Sequence, residues 1–273
     1  TPDLSNKFPN ETGLRPAAAL FKEVKNLSIG ENALWLQPGS RFERLQVNVP
    51  GLPDEEFTIE AIANLDNVYS DASVNTLISH WNGSNEDIGW SLGVTSAKSR
   101  FDPQNFIVQI VGDDFQNNRI YEVVASGLHV PLNKPIYLAA SVSTIPSKED
   151  PAKGTVTFYL KDLSDPAAKM QVSTKQHQIV GGVKSKPGVV TLIGGRQEKG
   201  HLWDGQIARI SVSSGKLVSS QLLFSEGRSD AESDAESDAE SLLPAPKRLI
   251  DWDFAGNNGE TPAPGSQWLR SVT

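Results

Sequence analysis

The sequence predicts an all-β chain: a sandwich or barrel of antiparallel strands. Three observations carry that prediction. Roughly a dozen short apolar segments recur about every 8–15 residues, as in sandwiches and barrels. No segment between them keeps a helical period over three turns. The connections are built from turn residues, with Gly 22 and Pro 17 in the 273-residue chain.

Taken in order, residues 1–32 are a polar N-terminal extension with one apolar patch at Ala17–Phe21. From Ala33 the pattern changes. Ala33–Leu36 is a short apolar strand, closed by Gln37-Pro38-Gly39-Ser40. Phe42–Val49 alternates, with Leu45, Val47 and Val49 on one face. After the turn cluster Pro50–Asp54, Phe57–Asn64 has a period of two. Phe57, Ile59, Ala61 and Ala63 are expected to face the core, and Thr58, Glu60 and Asn64 the solvent. Strands are then expected at Thr76–Trp81, Ile88–Val94, Phe106–Val111, Ile120–Val124, Ile136–Val142, Gly154–Leu160 and Val189–Ile193. A long strand over His201–Val212 closes the fold, followed by a helix-like piece at Val218–Phe224.

Residues 33–225 therefore form the sandwich. Residues 226–243 are an acidic linker: Ser-Asp-Ala-Glu is repeated three times from Ser229 to Glu240, and such like-charged polar sequence buries nothing. Residues 244–273 carry one further strand candidate, Leu249–Phe254. That strand either folds back on the sandwich or begins another unit.

Composition excludes several function classes. A formal net charge of −8 argues against nucleic acid, which needs a basic footprint. With no cysteine there is no disulfide, thiolate metal site or cysteine nucleophile. No apolar run approaches the ~18–20 residues of a membrane helix, so this segment is not expected to insert. Thr1 opens a polar stretch, so a targeting segment is expected upstream, with an extracytoplasmic location.

Phe57-Thr58-Ile59-Glu60-Ala61 resembles a strand of laminin-G-like, concanavalin A-like jelly rolls, and Trp203-Asp204-Gly205-Gln206-Ile207 resembles the strand that closes them. Leu217–Phe224 sits where that family has a short helix. Tyr137–Ser141, Phe158–Leu163 and Ile193–Arg196 with His201–Gly205 are similar to a laminin-G-like module of large exported proteins from planctomycete bacteria. The resemblance implies an antiparallel β-sandwich jelly roll of the concanavalin A-like lectin/glucanase type, an exported multidomain setting and a binding or spacer role. It departs at Ala208 and Arg209, where acidic residues usually stand and help hold a structural calcium. The "W-x-F" strand that opens such domains is absent before Ala33; its match is Trp252-Asp253-Phe254.

No cofactor is required by this reading. The sharpest enzyme alternative, a glycoside hydrolase, needs two carboxylates about 5–5.5 Å or 6.5–9.5 Å apart. Glu56 and Glu60 are about 13 Å apart on an extended strand. Asp251 and Asp253 have i,i+2 spacing but lie outside the expected sandwich. His80, His129, His177 and His201 fall at separate strand ends and form no metal-binding pair. A Ca²⁺ site is expected, if anywhere, on loop oxygens from Asp113, Asp114, Glu86 and Asp87. For a glycan, the expected site combines Trp81 and Trp90 as aromatic platforms with Asn82 and Asp87, joined by Tyr69 if the loops meet at one rim. The partner is a glycan or a neighbouring protein domain; a purely structural spacer without a small ligand is the other reading.

Overall fold

The computed structural model describes residues 14–16, 21, 32–38, 43–47, 49, 51–68, 72–146, 150–198, 200–224, 247–254 and 267–269. The Ser-Asp-Ala-Glu repeat lies outside the described residues, as does Tyr69. The strands are β1 (Leu14–Pro16), β2 (Asn32–Leu36), β3 (Arg44–Val47), β4 (Glu56–Asn67), β5 (Val74–His80), β6 (Gly89–Thr95), β7 (Asn105–Asp113) and β8 (Arg119–His129). They continue with β9 (Ile136–Ser143), β10 (Gly154–Asp162), β11 (Gln171–His177), β12 (Thr191–Ile193), β13 (Asp204–Ser214), β14 (Arg248–Asp253) and β15 (Gln267–Leu269).

Two antiparallel sheets face each other, and the chain is a jelly-roll sandwich. The first sheet runs β1-β2-β13-β4-β9-β10-β11; the second runs β15-β3-β12-β5-β6-β7-β8. Period-two apolar faces meet between them. Phe57, Ile59, Leu138, Val142, Phe158 and Ile210 from the first sheet pack on Ile78, Trp90, Leu92, Phe106, Val108 and Ile110 from the second. Phe106 and Phe158 meet edge to face at 5.3 Å.

The closing strand β13 holds the first sheet together. One edge pairs with β4 along its length. The other edge is shared: β2 covers Gly205–Ile207 and β14 covers Arg209–Ser213. The C-terminal strand thus lies on the sandwich, where Ile250 and Trp252 join the main core. The pairing slips between Ile207 and Arg209, and this bulge resets the alternation. Ile207 and Ile210 both face the main core, while Ala208 faces the other side of the sheet. Arg209 bonds Asp251 through two contacts, 2.7 and 2.6 Å. Ala208 and Arg209 therefore serve packing and a cross-strand ion pair.

Three expectations need correction. Thr58, Glu60 and Asn64 do face away from the main core, but each is 0% exposed. A second apolar layer covers Thr58 and Glu60: Leu217 and Leu222 pack with Phe21, Ile62, Tyr137, Tyr159 and Ala208. Glu60 consequently sits in a dry site, where Oε1 accepts from Tyr137 Oη at 2.7 Å and from the Leu223 amide. Burial raises its pKa. The helix-like piece is a single 3-10 turn, Ser219–Gln221. Asp251 belongs to the sheet rather than lying outside it.

Candidate functional site

At one end of the sandwich three connections converge: residues 81–88 between β5 and β6, 114–118 between β7 and β8, and 178–190 between β11 and β12. They are stitched together by named contacts. Arg119, paired with Asp113 at 2.6 Å, also donates from Nη1 to the Glu86 carbonyl at 2.9 Å. Lys186 binds Asp87. The Val180 and Gly181 amides donate to the Asp113 carbonyl at 3.0 and 3.3 Å. These three loops form one continuous rim.

The structure separates the two tryptophans of the expected site. Successive strand residues point to opposite faces. Trp90 pairs across the ladder with His80 and packs on Phe57 in the main core at 5.0 Å. Trp81 follows His80 and so lies on the outer face of the second sheet. It rests over Gly89, where an added Cβ would meet the Trp81 Cβ at 2.8 Å and the His80 carbonyl at 2.6 Å. Its ring stacks on Tyr121 at 5.7 Å, and the Arg196 guanidinium lies 5.1 Å from its centroid. Trp81 is 2% and Trp90 1% exposed, so neither offers a ring face to solvent. Stacking inside the protein has used both platforms.

The polar partners are also occupied. Asn82 Nδ2 donates to Asp87 Oδ2 at 2.7 Å, and Asn82 Oδ1 accepts the Ser84 amide at 3.0 Å. This closes the 82–87 loop on itself. The bonds from Lys186 and Asn82 hold the Asp87 pKa below the usual carboxylate range. Asp66 and Asn67 precede β5, whereas Trp81 follows it, so they stand at the opposite end of the sandwich from the 81–88 loop.

The expected calcium ligands do not converge. Asp113 is committed to Arg119. Asp114 Oδ1 accepts the amides of Gln116 and Asn118, each at 2.8 Å, which lowers its pKa. Asp87 is taken by Asn82 of its own loop and by Lys186 of the 178–190 connection. Among the described residues no group of three His, Cys, Asp or Glu could hold a metal ion.

What the rim does present is Phe115. It is 63% exposed at the hairpin tip, and Gln116, Asn117 and Asn118 beside it are exposed too. The tip is rigid: besides the Asp114 bonds, Asn117 N donates to Asp114 O at 2.9 Å, and Asn117 takes φ 63°. The sequence signal is an aromatic residue in the middle of an otherwise polar turn.

Beneath the rim, the outer face of the second sheet carries a buried polar network. Ser91 Oγ donates to Gln109 Oε1 at 2.9 Å, and Gln109 Nε2 donates to Tyr121 Oη at 2.5 Å. Arg196 Nη2 pairs with Glu198 Oε1 at 3.1 Å. Burial pulls the Arg196 pKa down to about 10, with Glu198 opposing; it stays charged at neutral pH. This network anchors the loop leading into β13 beneath the rim.

Three histidines add a pH dependence. Burial lowers His80, His177 and His201 to about 4, from an ordinary 6.5. Between those values the unfolded chain holds more protons than the folded one, so stability falls as the pH is lowered through the window. Glu60, raised by burial, acts in the opposite direction. Urea unfolding is expected to show lower stability at pH 4.5 than at pH 7.0, with a smaller difference in His177→Asn. Equal stability at both pH values would contradict this.

No protein-family model matches the chain, and no curated protein matches it in sequence. Solved structures of similar shape exist. A carbohydrate-binding module of a Ruminococcus gnavus sialidase, bound to α2,3-sialyllactose, is 18% identical, with a TM-score of 0.43 over 62% of this chain and 80% of that one. A pentraxin from Limulus polyphemus is 10% identical, TM-score 0.39, over 67% and 75%. An alginate lyase from Aplysia kurodai is 11% identical, TM-score 0.39, over 73% and 84%. A likeness at this level concerns the sandwich fold alone. Among the described residues no helix is long and apolar enough to cross a membrane.

Proposed function

We propose that this chain is a non-catalytic binding module that holds a carbohydrate at its loop rim. The observation that carries the reading is Phe115, a large aromatic side chain 63% exposed on a turn locked by Asp114. An aromatic ring is a platform for the apolar face of a sugar. The amides of Gln116 and Asn117 beside it can meet hydroxyl groups, as sites combine apolar area with a few placed polar groups. Holding the platform on stitched loops limits the ordering cost of binding.

Hydrolysis is disfavoured by the same geometry. Asp251 is committed to Arg209, and Glu60 lies beneath an apolar cover. The exported, extracytoplasmic, multidomain setting belongs to this proposal through the laminin-G-like resemblance. A neighbouring domain seated on the same rim is the second reading, and the same exposed ring favours it.

Glycan-array screening followed by calorimetry tests the proposal. The wild type is expected to bind at least one glycan class, and Phe115→Ala to weaken that binding tenfold or more. An exposed substitution changes stability by only about 0.5 kcal/mol, so the variant should remain folded. No glycan bound by the wild type, or full affinity in Phe115→Ala, would overturn the reading.

A further inference from the structure

A pocket of about 190 Å³ opens beside the rim, between residues 52–54 and residues 183–185. Its walls are apolar, with Leu52, Val183 and Trp90 among them. Four polar residues also line it: His80, Asp54, Lys184 and Ser185. The His80 imidazole is set by its own bond, Nδ1 to Thr191 Oγ1 at 2.9 Å. Lys184 lies 3.9 Å from Asp54 at the mouth, with an ammonium group largely in solvent. The Val183 amide donates to the Asp54 carbonyl at 2.7 Å and fixes one wall against the other.

The pocket is continuous with the rim. Lys184 and Ser185 precede Lys186, which binds Asp87 of the 82–87 loop. The same connection begins at Val180, bonded to Asp113 at the base of the Phe115 hairpin. Residues 180–186 therefore run from the foot of the exposed aromatic to the lip of the pocket.

Size and lining select the ligand chemistry. Drug-sized ligands occupy about 300–1,000 Å³, so this cavity takes a single ring. A ring with both apolar and polar edges matches a lining that mixes apolar residues with His80, Asp54, Lys184 and Ser185. A pyranose ring offers both surfaces, an apolar C–H face for the half-buried Leu52 and Pro53 and a hydroxyl edge for His80, Asp54, Lys184 and Ser185. Burial keeps His80 neutral at physiological pH, so its imidazole can bond a hydroxyl without a buried charge.

We infer that this pocket seats one terminal pyranose ring of a glycan, whose next units pass over residues 182–186 toward Phe115. Recognition is then end-on: the module reads a chain terminus and ignores internal stretches. The inference rests on the carbohydrate reading above and makes it more specific.

The test starts from a glycan bound in the array and compares it with the same glycan lacking its terminal ring. Free D-glucose, D-galactose, D-mannose and N-acetyl-D-glucosamine are assayed in parallel by saturation-transfer NMR. Removal of the terminal ring is expected to weaken binding tenfold or more, and at least one monosaccharide is expected to bind alone. Ser185→Trp fills the pocket and is expected to abolish both signals. Asp54→Asn, which keeps the pocket's volume, is expected to weaken both several-fold. Phe115→Ala is expected to spare the monosaccharide. Binding indifferent to the terminal ring, or unchanged in both Ser185→Trp and Asp54→Asn, would overturn this inference and leave the carbohydrate reading standing. The absence of any glycan binding would overturn both.

Discussion

Replacing Trp252 by alanine is expected to lower the free energy of unfolding by about 3 kcal/mol, the low end for a buried large aromatic. Trp252 is 8% exposed and sits on β14, a strand reached only after the acidic repeat. It pairs with Ile210 of β13 and enters the main core together with Ile250. The neighbouring Arg209–Asp251 pair has better visible geometry, two bonds of 2.7 and 2.6 Å. Its side chains are 27% and 31% exposed, however, and a pair of that exposure contributes about 0–1 kcal/mol. Apolar burial, rather than the ion pair, holds the tail to the sheet. Asp251→Asn should accordingly cost well under half as much as Trp252→Ala. Protease cutting within Ser229–Glu240 should leave residues 247–269 bound to the sandwich through gel filtration. Release of that fragment without loss of thermal stability would show that β14 is dispensable.

Gly205→Ala is expected to cost about 3 kcal/mol or more, placing it among the severe single changes. Gly205 takes φ 154° at the start of β13. A Cβ there would stand 2.2 Å from the Asn64 carbonyl oxygen and 3.0 Å from the Asp66 nitrogen. Both are backbone atoms of β4, paired with β13 at this point. A flexible side chain could swing aside; a ladder strand cannot. The register shift between Asp204 and Gly205 belongs to the same close approach. The glycine of the Trp203-Asp204-Gly205-Gln206-Ile207 motif thus lets the closing strand seat against β4. Chemical denaturation measures the effect, and wild-type stability in Gly205→Ala would refute this account of the motif.

The closing strand shows what was legible in the chain. Strands with one apolar face, such as Phe57–Asn64 and Phe106–Val111, declare themselves through alternation, and the structure places β4 and β7 over them. Strand β11 does not. Gln171–His177 is exposed along most of its length, with Val172 at 53%, so no apolar period marks it. It exists through backbone pairing with β10. Glu60 was illegible for a different reason. Its cover comes from Phe21 and Leu217–Leu222, distant in sequence, and no local pattern announces a second layer.

The site was legible as a place and not as a set of side chains. The loop Asn82–Asp87 does belong to the rim. Trp81 and Trp90 flank it in sequence, yet the ladder pairs Trp90 with His80 and so sends the two rings to opposite faces. That separation follows from register, which a single sequence leaves open. Asn, Asp and Glu in these loops close turns and bind Arg119 and Lys186, a use of the same residue types that composition cannot tell from ligand binding.

Amide chemical shifts of the labelled protein, followed while the array-selected glycan is added, test the central claim most directly. Binding at the rim predicts shifts clustered at residues 84–87, 114–118 and 182–186, with β11 and the Trp252 strand unmoved. Shifts confined to the outer face of the first sheet, or none at saturating glycan, would contradict it.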